Sequence, residues 1–151
     1  MIWFRIDNRL VHGQVIETWL PYTEATRLLV VNDSIAADPL QQSIMSMAVP
    51  ARVSIEFLPV DKLGKLLSST AHLNALILFA DCADARRAFE NGGLFKILNV
   101  GNLHYSPGKK QLCMHVAVSC EDELCLKFFK EHGVELDFRC VPNDKPRVSE
   151  F

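Results

Sequence analysis

Hydrophobic positions follow two rhythms along the 151 residues. Compact apolar runs of strand length fall at 2–6, 28–31, 53–58, 76–80 and 96–100. The run Leu28-Leu29-Val30-Val31 is uninterrupted, as expected of a strand covered on both faces. Between the runs, apolar residues recur at helical spacing. This predicts helices over 13–21, from Asp38-Pro39 to Pro50, over 60–68, over 83–90 and over 121–132. Asp38 suits an N-cap and Pro39 the first helical position. Leu40, Ile44 and Met47 line one side of that second helix, an apolar stripe of the kind that faces a core. Gly92-Gly93 ends the helix over 83–90. Two segments break the alternation. Residues 103–105 and 111–118 flank Pro107-Gly108, which suits a type II turn and predicts a small hairpin excursion. Val134, Leu136, Phe138 and Cys140 alternate with Glu135, Asp137 and Arg139, the pattern of a strand with one wet face.

Strands alternating with helices imply an α/β fold: a single domain over 1–151, with a mainly parallel central sheet, helices on both faces and the hairpin as an excursion. Open sheets of this kind bind ligands at the carboxyl ends of their strands. His12 follows the first strand and Asp33 follows the second. If those strands are neighbours, both residues reach one edge.

The 49% of hydrophobic residues excludes a disordered chain, and the net charge of −2 without a dense basic run excludes a nucleic-acid surface. No secretory signal pattern opens the chain, and no apolar stretch approaches the ~20 residues of a membrane span. Any membrane association is therefore expected through a partner. The five cysteines, Cys82, Cys113, Cys120, Cys125 and Cys140, are odd in number and include no C-x-x-C. Reduced, mostly buried thiols in a cytoplasmic protein are the expectation. His115 with Cys113, Cys120 and Cys125 matches no common zinc spacing, so no metal site is expected.

Chemistry concentrates in Arg5-Ile-Asp-Asn-Arg-Leu-Val-His12-Gly13-Gln14-Val15. Two arginines, a carboxylate and a histidine stand at the mouth of the first helix, where free backbone N–H groups collect. Helix N-termini hold anions, and arginines match phosphate oxygens. These parts fit a histidine that accepts a phosphoryl group. They also admit a plainer reading: His12 as a half-buried polar residue, Arg5 and Asp7 as a strand-end ion pair, and Gly13 as relief of crowding.

The same segment resembles the signature of the IIB components of the mannose/fructose/sorbose family of the bacterial sugar phosphotransferase system. In that family an arginine, an aspartate pair and a second arginine lead to His-Gly-Gln-Val, with a Trp a few residues on, here Trp19. The similarity continues through Val30-Val31-Asn32-Asp33, Ala48-Val49-Pro50, Asn99-Val100-Gly101, Gly108-Lys109-Lys110 and Val141-Pro142-Asn143-Asp144. The resemblance implies an α/β fold and a phosphohistidine carrier. On it, His12 takes a phosphoryl group from a IIA protein and passes it to a sugar imported by the membrane components IIC and IID. No cofactor is implied beyond the transient phosphohistidine, with phosphoenolpyruvate as the ultimate donor. The location implied is cytoplasmic, peripheral to the inner membrane through IIC and IID.

Arg9 and the N–H groups of Gly13, Gln14 and Val15 are the candidates for phosphate contact, and Arg5 shapes the pocket or pairs with Asp7. Asp7 and Asp33 are expected to orient or bound the site, since carboxylates repel phosphate and a carboxylate can hold a working histidine by accepting its N–H; for Asp33 a turn or cap role stands equally open. Trp19 is expected in the core. Asn8 replaces the family's second aspartate. Asn102 replaces a frequent second glycine, a change expected to touch the loop and not the phosphate chemistry. A phosphorylation-dependent regulatory module on the same fold is the alternative function. A nucleotide-binding domain is disfavoured, because neither G-x-G-x-x-G nor a P-loop is present.

Overall fold

A computed structural model describes residues 1–148, so the last three positions of the expected unit lie outside the described residues. The apolar runs become β1 (Ile2–Asp7), β2 (Arg27–Val31), β3 (Ser54–Leu58), β4 (Ala75–Phe79) and β5 (Ile97–Asn102). With the short β8 (Glu135–Asp137) they form a parallel six-stranded sheet in the order β3-β2-β4-β1-β5-β8.

Alternation of side chains on each strand fills two cores. On one face Leu28, Val30, Leu76 and Leu78 pack with Val15, Trp19 and Leu20 of the first helix. On the other, Leu29, Val31, Ile77 and Phe79 pack with Leu63, Ala85, Leu126 and Phe129. The first helix, α1, is a π-helical turn at Val15–Trp19 that runs into Leu20–Thr23. The second-face helices are α4 (Leu63–Ser69), α5 (Cys82–Glu90) and α6 (Cys120–Glu131). Helix α6 opens with a capping box between Ser119 and Asp122, which satisfies two backbone donors at once.

Three expectations are corrected. First, β1 and β2 are not neighbours, because β4 pairs with both and separates them. Second, the hairpin does not use the Pro-Gly turn. That turn exists, with Gly108 at φ +92° and Lys109 N–H bonded to Ser106 O at 3.1 Å. The antiparallel pair itself is β6 (Lys110–Cys113) with β7 (Val116–Val118), which divide the segment 111–118 read as one strand, β6 starting one residue before it. The turn at Met114 and His115 lets Leu112, Val116 and Val118 all reach the core.

Third, a short helix α2 (Asp33–Ala36), capped by Asn32, precedes α3 (Pro39–Met47). Asp38 does cap α3, accepting from Gln41 N–H at 3.1 Å. Its apolar stripe, however, faces outward: Leu40, Ile44 and Met47 are 69%, 52% and 86% exposed. Ile44→Gln should therefore change unfolding free energy by no more than ~0.5 kcal/mol in a denaturant titration, against the ~2–5 kcal/mol that emptying a packed core site costs.

Candidate functional site

The site forms where β1 and β5 end. Their register shifts between Ile6 and Asp7, which sets Asp7 opposite Asn102. Leaving β1, the chain turns at once: Leu10 N–H bonds Asp7 O at 2.9 Å, and Arg9 N–H bonds Asp7 Oδ1 at 3.1 Å. Leu10 adopts the left-handed region at φ 55°, a conformation that costs a side-chain-bearing residue ~1–2 kcal/mol. Burial of its side chain at 4% exposure, within the first-face core, offsets that strain and fixes the loop. Helix α1 then starts, with Ile16 N–H bonded to His12 O at 3.1 Å. The N–H groups of Gly13, Gln14 and Val15 find no acceptor among the described residues. The π-helical turn that follows is a geometry found mostly at functional sites.

Asp7 is the hub and is completely buried. Its Oδ2 accepts from Arg5 Nη2 at 2.9 Å, Asn102 Nδ2 at 2.9 Å and His12 Nε2 at 2.7 Å. Burial alone would raise its pKa. The bonds from His12 and Asn102, with the Arg5 charge, outweigh burial and hold the carboxyl below its ordinary range. An ionised carboxylate only accepts, so His12 Nε2 carries a proton and Nδ1 is the nitrogen that holds the lone pair when the ring is neutral. The His12 side chain is 12% exposed, so the ring is mostly enclosed yet still reaches solvent.

Arg5 is also completely buried. Besides Asp7 it donates to Asn99 Oδ1 at 2.5 Å and to Cys140 O at 3.1 Å, and its guanidinium lies 4.9 Å from the centre of the Trp19 ring. Burial lowers its pKa, and Asp7 works against that shift. With its donors committed inward, Arg5 is a strut beneath the loop. Trp19 is core as expected, and its Nε1 donates to Cys140 O at 2.8 Å.

Of the other sequence candidates, Arg9 is exposed, and its guanidinium bonds Gln14 Oε1 at 3.5 Å. Gln14 also accepts from Asn102 Nδ2 at 3.1 Å and from the Cys140 thiol at 3.3 Å. Gly13 relieves no crowding, because an added Cβ would meet nothing within 4 Å. Asp33 stands apart from His12. It pairs with Arg87 Nη2 at 2.5 Å and accepts from Val60 N–H at 2.9 Å, beyond the intervening β4. These partners hold its carboxyl low in pKa, so it serves as a local loop anchor.

Asn99, Gly101, Asn102 and Cys140 belong to the supporting shell, although sequence reasoning did not place them there. The expectation that Asn102 lies outside the chemistry is corrected, since its side chain binds the carboxylate that holds His12. Gly101 has a steric cause: a Cβ there would fall inside the Arg5 guanidinium. Gly101→Ala should therefore destabilise the fold by about 2–3 kcal/mol, because the pinned guanidinium has nowhere to move. Thermal unfolding monitored by circular dichroism would check this.

The site thus sets an enclosed imidazole, bonded through one nitrogen to a buried carboxylate, beside an exposed arginine and backbone N–H groups that find no acceptor among the described residues. The chain matches the family described as "PTS system sorbose subfamily IIB component" over residues 1–150. It belongs to that family. Among relatives, it is 37% identical over 143 residues to the N-acetylgalactosamine-specific phosphotransferase enzyme IIB component 1 of Escherichia coli K12, covering 93% of this chain and 90% of that one. The crystal structure of the Escherichia coli N-acetylgalactosamine-specific IIB component 1 superimposes with a TM-score of 0.92 at 35% identity, over 99% of this chain and 100% of that one. The mannose-specific EIIAB component of Escherichia coli K12 is 31% identical over 142 residues. The match covers 93% of this chain but 44% of that longer protein. The single α/β domain is thus that of the sorbose IIB family, whose members are components of a phosphotransferase system. Among the described residues no helix is long and apolar enough to cross a membrane.

Proposed function

We propose that this IIB component is a phosphohistidine carrier in which Nδ1 of His12 receives a phosphoryl group from a IIA protein. It then passes the group to a sugar imported by IIC and IID membrane components. The observation that carries this reading is the bond from His12 Nε2 to buried, ionised Asp7, which leaves Nδ1 as the nucleophile. In the first transfer, the Nδ1 lone pair attacks the phosphorus of the donor phosphohistidine as the donor N–P bond breaks. Such a step needs in-line placement and charge stabilisation, with little covalent help from the protein. Arg9 and the open N–H groups of Gly13, Gln14 and Val15 supply donors for the equatorial oxygens. The ring becomes positive as the N–P bond forms, and Asp7 offsets that charge. In the second transfer a sugar hydroxyl attacks phosphorus as the His12 Nδ1–P bond breaks; the hydroxyl proton is released, and the electron pair returns to the imidazole, which becomes neutral.

The donor is named by kinship. The EIIAB relative bears both letters in one chain, which supports a IIA protein as the phosphoryl source. The relatives named for N-acetylgalactosamine, fructose and mannose differ in sugar, consistent with selection of the sugar by other components. The working location on this reading is cytoplasmic, at the inner membrane through IIC and IID.

Reconstitution with phosphoenolpyruvate, enzyme I, HPr and the organism's own IIA protein tests it. Intact mass at neutral to alkaline pH should show one added phosphoryl group, and phosphorus–nitrogen coupling in NMR should place it on Nδ1. An unphosphorylated chain in the presence of a charged IIA would overturn the carrier reading, and a chain that is charged but passes nothing to sugar in the presence of IIC and IID would favour the regulatory one.

A further inference from the structure

Behind the Asp7 hub lies a second group of ligating side chains that the proposed transfer does not use. The His115 ring, the Cys140 thiol and the Asp144 carboxylate each offer one atom, and these atoms all lie within 4.8 Å of one another. They come from the β6–β7 turn and from the segment after β8, brought together as the chain folds over the end of the sheet. Tetrahedral zinc with sulfur at ~2.3 Å and nitrogen or oxygen at ~2.0–2.2 Å sets its ligand atoms ~3.4–3.6 Å apart, so the three would close by at most about 1.4 Å on binding. His115 and Asp144 line a cleft of about 320 Å³ open to solvent, with Cys113 and Met114 beside them. The His115 ring makes no hydrogen bond among the described residues. Asp144 Oδ2 is oriented by the N–H groups of Cys140 and Val141, each at 3.0 Å.

We propose that His115, Cys140 and Asp144 form a site for a divalent transition metal of the zinc type, with the cleft side left for water or a fourth ligand. Thiolate and carboxylate together neutralise a divalent ion. This matters because Lys145 and Arg147 also line the cleft and disfavour a loosely held cation. A thiolate–imidazole–carboxylate set selects zinc, cobalt or copper over magnesium and calcium. On binding, the Cys140 S–H bond breaks, the Sγ–metal bond forms and one proton leaves to solvent.

The site has a direct line to His12. The Cys140 thiol donates to Gln14 Oε1 at 3.3 Å and faces Asn102 Oδ1 at 3.6 Å. A metal-bound thiolate has no proton to give, so it repels both oxygens. The Asn102 amide relieves that repulsion by turning, which withdraws Nδ2 from Asp7 and loosens the hold on the His12 ring.

Cobalt(II) titration of the reduced, chelator-stripped full chain tests the site without any phosphoryl transfer. One equivalent should give a thiolate-to-cobalt charge-transfer band with four-coordinate d–d bands, and zinc should displace it. His115→Ala and Asp144→Asn should each weaken binding by at least ~10-fold, while Cys120→Ser, on exposed Cys120, leaves it intact. Both variants keep the buried thiol, and Asp144→Asn keeps an oxygen for the N–H groups of Cys140 and Val141; circular dichroism of each variant separates loss of fold from loss of the site. Absence of the charge-transfer band, or equal affinity in wild type, His115→Ala and Asp144→Asn, overturns the site. Zinc should also shift the His12 Cε1–H proton resonance in wild type and not in His115→Ala. An unmoved resonance in zinc-loaded protein overturns the link to His12, independently of whether the chain carries phosphate.

Discussion

His12→Ala should accept no phosphoryl group under conditions in which the wild type is charged by IIA, with His72, His104, His115 and His132 all still present. The loss is total because no other histidine is hydrogen-bonded to a carboxylate among the described residues; His115 lies within 4.8 Å of Asp144 but is not held by it. His132 Nδ1 bonds Phe128 O at 2.8 Å on the last turn of α6, and the others have no carboxylate partner among the described residues. Folding should survive. The His12 ring is not part of either hydrophobic core, and Asp7 keeps its bonds from Arg5 and Asn102 when the ring is removed. One charge-assisted hydrogen bond is lost, worth ~1.5–3 kcal/mol at most, and solvent reaching the vacated space recovers part of it. Intact mass of the variant beside wild type, with circular dichroism to confirm the fold, gives the result. Phosphoryl uptake by His12→Ala would mean that another histidine is the acceptor.

The stretch from Arg5 to Val15 was legible because its information is local. A strand end, an acceptor carboxylate, a histidine and a helix start lie within one short contiguous segment, so their closeness could be read from the sequence, while the carrier role was implied by the family resemblance. The plainer reading of Arg5 and Asp7 as a strand-end pair was also correct in geometry. That pair is the device that orients the histidine, since the same Oδ2 accepts from both Arg5 and His12. The rest of the shell was illegible because it depends on strand order. Asn99, Gly101 and Asn102 reach β1 only because β5 pairs beside it, and Cys140 arrives from the far end of the chain. No spacing rule links those positions. Of the two readings of Asp33, the local turn or cap role fits and the site role does not, for the same reason: being next in sequence does not make β2 next in the sheet when β4 inserts between them. The stripe of Leu40, Ile44 and Met47 shows that helical periodicity reports which residues share a face and not which side that face looks toward.

Asp7→Asn should retain the fold's outline and lose both speed and stability. Its Oδ2 position meets donors from Arg5, His12 and Asn102, while its Oδ1 accepts from Arg9 N–H. An amide has a single oxygen. Placed toward the three side chains, it turns its NH2 against the Arg9 N–H; placed the other way, it faces three donors with a fourth. In either case the Arg5 guanidinium is left buried without its counter-charge, which costs about 3–5 kcal/mol. The rate of phosphoryl acceptance should fall by roughly 10²- to 10⁴-fold, as when the carboxylate behind a working histidine is neutralised and the tautomer is no longer fixed. Rapid-quench transfer from phosphorylated IIA measures that loss in protein shown to be folded. Acidity supplies a second check. The Asp7 pKa is lowered on folding, so its contribution is complete above its ordinary value of 3.8 and is lost as pH falls through the depressed folded value. The stability gap between wild type and Asp7→Asn should therefore hold steady from neutrality down to about pH 4 and narrow only below it. A gap that closes nearer neutrality would mean that the charge on Asp7 is not what holds Arg5 and His12 in place.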